Sequence, residues 1–334
     1  MTKVLTVEDL TISFGTGDSE LTVVHKVNFT LEAGKTLALV GESGSGKSVT
    51  SLGIMRLLSP SQSRVQGKIV LHSDEDIDLL SLSESRMRRL RGDRIAMIFQ
   101  EPLTSLNPVY TIGDQIIEAI RSHRRMSKRN ARQRAIELID QVGIPDAEHR
   151  LGTYPHELSG GMRQRIMIAI ALALEPDILI ADEPTTALDV TVQAQILELL
   201  NRLQEETGMA MLFITHDFGV VADIADRTIV MYAGEMVEEG STETVLERPL
   251  MPYTSGLMRA VPKLETAGLK EGDLESIEGF VPHPDNRPTG CSFHPRCTHA
   301  LAGTCDVPPV PIEDAGDGHL VRCKRWKTLQ EAAE

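Results

Sequence analysis

The chain has 334 residues, of which 41% are hydrophobic and 25% are charged, and its formal net charge is −14. This length accommodates a large and a small domain, and the composition is that of a globular protein. The acidic balance argues against a general nucleic-acid-binding protein. The longest uncharged apolar run, Ile166–Leu174, is too short to cross a bilayer, and the N-terminal residues lack a signal-peptide pattern. We therefore expect a cytosolic protein that associates with membranes only through partners.

The first 35 residues alternate between apolar and polar side chains, which predicts β-strands joined by a turn at residues 15–18. Phe14 directly precedes this turn. Its ring is suited to stacking on a nucleotide base, but its spacing is equally compatible with a core aromatic residue of an antiparallel sheet.

A glycine-rich segment follows a short apolar run. Residues 37–40 predict a buried strand, residues 41–48 fit the pattern Gly-x-x-x-x-Gly-Lys-Ser/Thr, and a helical pattern continues from Val49 to Leu58. This context is typical of a phosphate-binding loop, in which backbone N–H groups and the helix dipole face phosphate oxygens. Lys47 is expected to reach the β- and γ-phosphates, and the Ser48 hydroxyl is expected to ligate Mg²⁺. The candidate binding residues are Gly41, Ser43, Gly44, Ser45, Gly46, Lys47 and Ser48.

Polar residues end three further short apolar runs that predict buried strands. Gln100 ends the first run and is placed to reach a metal-bound water or a γ-phosphate. Asp182 ends the second and is suited to holding Mg²⁺ through water, while the adjacent Glu183 can polarise an attacking water. His216 follows the third and could bridge the γ-phosphate and Glu183.

Residues 101–158 read as a helical insertion with a basic stripe, for which solvent exposure, lipid head groups and an acidic partner all remain open. Ser127 is expected to cap a helix of this insertion. Ser159, Gly160 and Gly161 then open a helix and predict a second anion-binding helix end. One nucleotide does not need both ends from one subunit, so the pattern hints at a site shared across a dimer. Asp189 precedes a long amphipathic helix that Gly208 ends.

The order and spacing of these segments resemble those of an ABC-type ATPase over roughly residues 1–260. The matching segments are the P-loop at 41–48, the Q-loop at Gln100, the signature at 158–162, the Walker B strand at 178–183, the D-loop at 187–189 and the switch histidine His216. A narrower resemblance, to ATP-binding subunits of bacterial dipeptide and oligopeptide importers, is carried by residues 101–108, 154–162 and 184–195. Two positions depart from the wider family: Met162 replaces the usual Gln, and Phe14 replaces the usual Tyr.

The resemblance implies an α/β P-loop NTPase fold over residues 1–260, with a RecA-like core, an antiparallel β subdomain and a helical insertion at about 101–158. It implies two ATPase subunits that trap ATP and Mg²⁺ head to tail, with Ser159, Gly160, Gly161 and Asp189 completing the partner's site. Glu183 would be the base, His216 the γ-phosphate sensor, and Gln100 the link to the permeases.

The resemblance also implies partners: two membrane permease subunits, a second ATPase that is more often a paralogue than an identical copy, and indirectly a solute-binding protein. The chain would then lie at the cytoplasmic face of the cell membrane. Importers of nickel chelates, glutathione or sugars use similar ATPases and remain alternatives to peptide import. A soluble ABC ATPase of DNA repair or the ribosome is disfavoured, because the chain has one cassette and no heptads.

The last segment, residues 261–334, contains all four cysteines, and seven prolines lie between residues 281 and 311. Such an irregular segment buries little apolar surface and needs a covalent or metal staple. A [4Fe–4S] cluster, zinc and free thiols all remain open. The wide spacing favours the cluster, and the four nearby histidines keep zinc in consideration. The candidate ligands are Cys291, Cys297, Cys305 and Cys323.

Overall fold

A computed structural model describes residues 2–15, 20–100, 105–186, 188–260 and 277–331 of the chain. Its strands are β1 (Lys3–Phe14), β2 (Leu21–Glu32), β3 (Thr36–Val40), β4 (Ser63–Leu71), β5 (Ile77–Asp78), β6 (Ile95–Ile98), β7 (Ile178–Asp182), β8 (Ala210–Thr215), β9 (Arg227–Tyr232), β10 (Glu235–Ser241), β11 (Glu313–Asp314) and β12 (Leu320–Val321). Its α-helices are α1 (Lys47–Ile54), α2 (Glu84–Leu90), α3 (Ile112–His123), α4 (Lys128–Gln141), α5 (Ala147–Arg150), α6 (Gly160–Ala171), α7 (Val190–Thr207), α8 (Phe218–Ile224), α9 (Thr242–Glu247), α10 (Pro252–Arg259) and α11 (Trp326–Glu331). Short 3₁₀ turns lie at Leu79–Ser81, Pro155–Glu157, Pro284–Asn286 and His294–Arg296.

The chain divides into two compact units. The first unit comprises Met1–Val4, Leu31–Lys35 and Ser81–Phe213, and the second comprises Leu5–Thr30, Thr36–Leu80 and Ile214–Glu334. The boundary that the sequence predicts near residue 261 lies outside the described residues, and it stays a prediction.

The second unit holds two groups of strands. One has the order β2-β1-β4-β5, and the other has the order β11-β12-β10-β9-β3. Strand β3 runs parallel to β9, with Val40 opposite Val230, and all five of its residues are buried. Strand β12, from the cysteine-containing segment, pairs antiparallel with β10. Residues 277–331 therefore extend a sheet that also contains the strand preceding the glycine-rich loop.

The first unit contains strands in the order β8-β7-β6, of which β6 and β7 pair in parallel. Its helices follow the sequence pattern closely, since the caps are encoded locally. Ser127 caps α4 by accepting a hydrogen bond from the backbone N–H of Asn130, and Gly208 ends α7 in the left-handed conformation with φ of 70°. Both predictions are confirmed.

The helix after the glycine-rich loop is shorter than the sequence predicts. Helix α1 ends at Ile54, and Leu57, which is 43% exposed, lies outside it with Leu58. The prediction of a helix to Leu58 is wrong because Arg56 adopts φ of 50°, a left-handed conformation that an L-residue cannot continue as a helix. Among the helices of the described ranges, none is long and apolar enough to span a membrane.

A single apolar cluster joins the C-terminal segment to the rest of the second unit. Phe293, Val321 and Trp326 of this segment pack in the same cluster as Val40 of β3 and Tyr232 of β9. The segment thus shares a buried core with the strand that leads into the glycine-rich loop, although its own central part has little regular structure.

Glu238 of β10 is a second link between the C-terminal segment and the sheet. Its carboxylate is fully buried and accepts hydrogen bonds from His319 Nε2 at 2.8 Å and from the backbone N–H groups of Leu250 at 2.6 Å and Met251 at 3.1 Å. Burying a carboxylate is tolerated only when such donors compensate for lost water.

We predict that Glu238→Gln lowers the free energy of unfolding by about 1–3 kcal/mol, because the amide replaces one acceptor oxygen and leaves a buried donor unpaired. Urea unfolding monitored by circular dichroism measures this change. The matched control is Glu247→Gln at the exposed end of α9, for which we expect a change within about 0.5 kcal/mol. Equal effects of the two substitutions would contradict the role assigned to Glu238.

Candidate functional site

The glycine-rich loop occupies a backbone path that excludes most side chains. A Cβ on Gly41 would lie 2.2 Å from the carbonyl oxygen of Met231, which is far inside van der Waals contact. Gly44 and Gly46 adopt φ of 80° and 99°, conformations that L-residues rarely take. The loop therefore curls tightly between β3 and α1, as a loop that presents its N–H groups to an anion must.

Lys47 lies within this curl. Its side chain is 5% exposed, and its ammonium donates hydrogen bonds to the carbonyl oxygens of Gly41 at 2.6 Å and Glu42 at 3.0 Å. The Ser45 hydroxyl lies 3.5 Å from the same nitrogen. A cation is thus held at the concave side of the loop, while Ser43 and Gly44 are exposed at its apex. This arrangement fits the phosphate groups of a nucleotide.

Ser48 and Thr50 follow Lys47 in the first turns of α1. Ser48 is half-buried in the first turn of the helix, directly after Lys47. Thr50 is buried, and its hydroxyl donates to the carbonyl oxygen of Gly46 at 2.9 Å. Of these two hydroxyls, only that of Ser48 is suited to a metal ion that bridges phosphates.

In the first unit, Gln100 and Glu183 lie at the ends of neighbouring parallel strands and contact each other. Gln100 Nε2 donates to Glu183 Oε2 at 2.9 Å, and the Thr186 hydroxyl donates to the same oxygen at 2.9 Å. Asp182, one residue earlier, is 4% exposed at the end of β7. The structure therefore brings two of the residues that the sequence selects, Gln100 and Glu183, into direct contact.

Glu183 has an unusual backbone. Its φ is 47°, in the left-handed region that non-glycine residues seldom occupy. Such strained conformations concentrate at functional sites, where surrounding contacts maintain them. The two hydrogen bonds to Glu183 Oε2 are contacts of this kind, because they fix the carboxylate against rotation.

The other candidate residues of the first unit cap helices. Ser159 caps α6 by accepting from the backbone N–H of Met162 at 3.3 Å, and Asp189 caps α7 by accepting from that of Val192 at 2.9 Å. Ser159 and Gly160 are exposed at this helix end. Gly161 packs on Val192, since a Cβ there would lie 2.7 Å from Val192 Cγ1.

In addition to the loop residues, two other candidate residues belong to the second unit. His216 is exposed directly after β8, and Asp217 caps the next helix by accepting from the N–H of Gly219 at 2.8 Å. Phe14 is half-buried at the end of β1, where it is opposite Ser63 of β4. Its partial exposure leaves both predicted roles, stacking and core packing, as predictions. Ala187 and residues 101–104 and 16–19 lie outside the described residues.

The four cysteines line one cavity in the second unit, although they are spread over 33 residues of sequence. Burial, followed by the proximity of the other thiols, raises the pKa of Cys291 and of Cys323 to about 11, and burial raises that of Cys297. The backbone N–H of Leu301 donates to Cys305 Sγ at 3.4 Å. Lys324, Arg325, His294 and His299 line the same cavity.

Within the part of the chain that the structure describes, no three His, Cys, Asp or Glu side chains converge closely enough to hold one metal ion. Tetrahedral zinc requires thiolates about 3.8 Å apart, given Zn–S bonds of about 2.3 Å. His319, one of the histidines that kept zinc in consideration, is instead hydrogen-bonded to Glu238.

Sequence reasoning missed two residues that contact the loop. The Tyr253 hydroxyl accepts a hydrogen bond from the backbone N–H of Glu42 at 2.9 Å, and Arg296 pairs with the Glu42 carboxylate. Neither residue belongs to a local motif, so no pattern in the sequence marks them.

The family models and the curated proteins that this chain resembles agree with one another in their descriptions. The family model described as "ABC transporter" matches residues 24–186, and that described as "Oligopeptide/dipeptide transporter, C-terminal region" matches residues 237–305. A Brucella abortus (strain 2308) protein named "Putative peptide import ATP-binding protein" is 52% identical over 332 residues, which cover 98% of each chain. A protein of the same description from Brucella suis biovar 1 is 51% identical, over 96% of this chain and 94% of its own.

Solved structures agree with the fold. An ATP-binding cassette solved as a dimer in a post-hydrolysis state with ADP and Pi matches with a TM-score of 0.62 and 30% identity, over 71% of this chain and 98% of its own. Clostridium perfringens cbiO1, described as part of the ABC transporter complex cbiONQ, matches with a TM-score of 0.61 and 26% identity, over 74% and 92% of the two chains. The mixed α/β fold predicted from the sequence is confirmed.

We predict that Gly41→Ala lowers the free energy of unfolding by about 2 kcal/mol or more, because its methyl group would overlap the Met231 carbonyl and force the loop or β9 to shift. Thermal and urea unfolding measure the change. Gly152→Ala is the control, since a Cβ there has its nearest neighbour at 3.8 Å. Native stability in Gly41→Ala would show that the loop accommodates a side chain and would contradict this packing.

Proposed function

The chain belongs to the ABC transporter family, and we propose that it is the ATP-binding and ATP-hydrolysing subunit that powers a peptide importer. The observation that carries this proposal is the similarity over nearly the whole chain, 52% identity across 98%, to a protein named for peptide import. The match of residues 237–305 to the oligopeptide/dipeptide transporter C-terminal region supports the same substrate class. Nickel, glutathione and sugar importers are the alternatives within the family.

We assign the phosphate groups of ATP to the loop from Gly41 to Ser48, with Lys47 as the residue that binds the β- and γ-phosphates. The position of its ammonium among loop carbonyls supports this role. Ser48, Gln100 and Asp182 are proposed to hold Mg²⁺ directly or through water, and the bound ion would supply positive charge that stabilises the transferring phosphoryl group. Phe14 is proposed to stack on the base.

Glu183 is the proposed general base, and His216 is the proposed γ-phosphate sensor. The hydrogen bond from Gln100 supports the assignment, because it orients the Glu183 carboxylate and links it to a residue that we expect to reach the metal-bound water or the γ-phosphate. The exposed helix end at Ser159, Gly160 and Gly161, with Asp189, is proposed to complete the site of a second ATPase subunit.

An importer ATPase of this family works with permease subunits and a second ATPase, which we propose to be a paralogue. We place the chain at the cytoplasmic face of the cell membrane, held there by two permeases, with a solute-binding protein as an indirect partner. A soluble ABC ATPase of a non-transport class is less well supported, because the printed descriptions of the relatives specify peptide import.

We expect Glu183→Gln to retain ATP binding and to lower ATP turnover by about 100-fold or more, because the amide cannot accept a proton from water. Lys47→Ala should lose binding itself. Turnover by the assembled transporter and equilibrium binding of ATP measure the two effects, and Glu205→Gln at an exposed position of α7 is the control. Unchanged turnover in Glu183→Gln would reject this residue as the base.

We further propose that the four cysteines hold a [4Fe–4S] cluster. The lining of one cavity by all four thiols supports the fit. The Leu301 N–H that donates to Cys305 Sγ, and the adjacent Lys324 and Arg325, would offset thiolate charge.

This proposal predicts about four iron and four sulfide atoms per chain after anaerobic purification, with a brown colour that oxygen bleaches. Cys305→Ser should lose most of this iron. Leu301→Ala, which shortens an exposed side chain and leaves all four cysteines in place, should keep it. Elemental analysis that finds one zinc and no iron would establish the zinc alternative, and absence of both metals would establish free thiols.

A further inference from the structure

An ion pair joins the C-terminal segment to the glycine-rich loop within the second unit. Arg296 Nη1 donates to Glu42 Oε2 at 2.8 Å and Arg296 Nη2 donates to Glu42 Oε1 at 3.0 Å, so the pair is bidentate. The two residues are 254 positions apart in the sequence. Glu42 directly follows the first glycine of the phosphate-binding pattern, and Arg296 directly precedes Cys297.

Arg296 is held in one position by its surroundings. Its side chain is 6% exposed, and it donates to the backbone carbonyl oxygens of Glu278 at 2.9 Å, Ile277 at 3.3 Å and Gly279 at 3.2 Å. Its guanidinium lies 5.8 Å from the centre of the Tyr232 ring. Burial lowers the pKa of Arg296, but the hydrogen bonds to Glu42 and Tyr232 outweigh burial and raise it, so the group stays charged.

Glu42 is held at three points. Its carboxylate binds Arg296, its backbone N–H donates to the Tyr253 hydroxyl at 2.9 Å, and its carbonyl oxygen accepts from the Lys47 ammonium at 3.0 Å. The rings of Tyr253, Tyr232 and Phe293 pack against one another with centroids 4.6 to 5.2 Å apart. The start of the loop is therefore supported by residues of α10 and of the cysteine-containing segment.

The charge of Glu42 requires an explanation. The phosphate-binding pattern does not specify the residue at its second position, and a carboxylate beside bound phosphates would repel them. Arg296 cancels this charge with a bidentate, mostly buried contact, which is screened by salt less than a surface pair. Without Arg296, the Glu42 carboxylate at the start of the loop would lose the cation that pairs with it.

We propose that Arg296 is a positioning residue for nucleotide binding, which neutralises Glu42 and fixes the start of the phosphate-binding loop. The C-terminal segment, folded around its four thiols, thereby sets the affinity of the loop for ATP. This inference rests on the proposed function, because it takes residues 41–48 as the ATP site. It assigns a role in binding, and not in the chemical step.

The test compares six full-length variants with the native chain by equilibrium binding of mant-ATP with Mg²⁺ at low and high ionic strength. Arg296→Gln should weaken binding about tenfold at low salt, because Glu42 then faces the phosphates unpaired, and the loss should shrink as salt rises. Arg296→Lys should weaken binding less, since it keeps the charge but loses the bidentate fork. In turnover assays the KM should rise while kcat changes little.

The decisive variant is the double substitution Glu42→Gln with Arg296→Gln. Removal of both charges should restore most of the affinity lost in Arg296→Gln, because no carboxylate then remains to repel ATP. A purely structural role of Arg296 predicts the opposite: the double variant would bind as weakly as Arg296→Gln or more weakly. Arg287 also belongs to the C-terminal segment and forms an ion pair with Glu235 of β10. Arg287→Gln therefore controls for a general disturbance of this segment and should bind ATP normally.

Two results would overturn the inference: native affinity in Arg296→Gln, or no recovery in the double variant. Should Arg296→Gln fail to fold, Arg296→Lys and Glu42→Gln still test it, because Glu42→Gln should bind ATP at least as well as the native chain. Lys47→Ala measured in parallel separates a failure of the proposed ATP site from a failure of the role assigned to Arg296. Native binding in Lys47→Ala would reject the ATP site itself, whereas loss there with no effect of Arg296→Gln rejects only the role of Arg296.

Discussion

The absence of space behind Gly41 is the constraint on which the proposed site depends. A Cβ there would overlap the Met231 carbonyl of β9 at 2.2 Å, and a Cβ on Gly234, in the β9–β10 turn, would lie 2.0 Å from the carbonyl of Val23. These contacts exclude a side chain at either glycine, and the Lys47 ammonium donates to the carbonyl oxygen of Gly41. Because the proposed phosphate-binding surface consists of backbone, close packing of the loop against β9 would keep its N–H groups in place.

Features encoded by neighbouring residues could be predicted from the sequence. The cap at Ser127, the helix end at Gly208 and the buried strands before Gly41 and Asp182 follow from local propensity and periodicity, and the structure confirms them. The wrong prediction for the end of α1 also came from local periodicity. Apolar residues continue at helical spacing past Arg56, but the backbone of Arg56 is left-handed and ends the helix. The phosphate-binding pattern was visible for a similar reason: its chemistry requires glycines and a lysine at fixed spacing.

Features that depend on distant parts of the chain could not be predicted. Arg296 and Glu42 are 254 residues apart, and neither occupies a position that phosphate chemistry selects. The spacing of the cysteines likewise did not reveal that burial raises the pKa of Cys291 and Cys323. The consequence is that the C-terminal segment shares a buried core with β3, the strand that leads into the proposed nucleotide-binding loop.

ATP hydrolysis by this chain drives peptide import, and transport into reconstituted vesicles measures this most directly. The chain would be reconstituted with its permeases, its partner ATPase and its solute-binding protein, with MgATP on the ATPase side. The predicted result is accumulation of a labelled di- or oligopeptide against its gradient with ATP and none with ADP. Rapid ATP turnover without peptide accumulation, together with transport of a nickel chelate or a sugar by the same vesicles, would contradict the account.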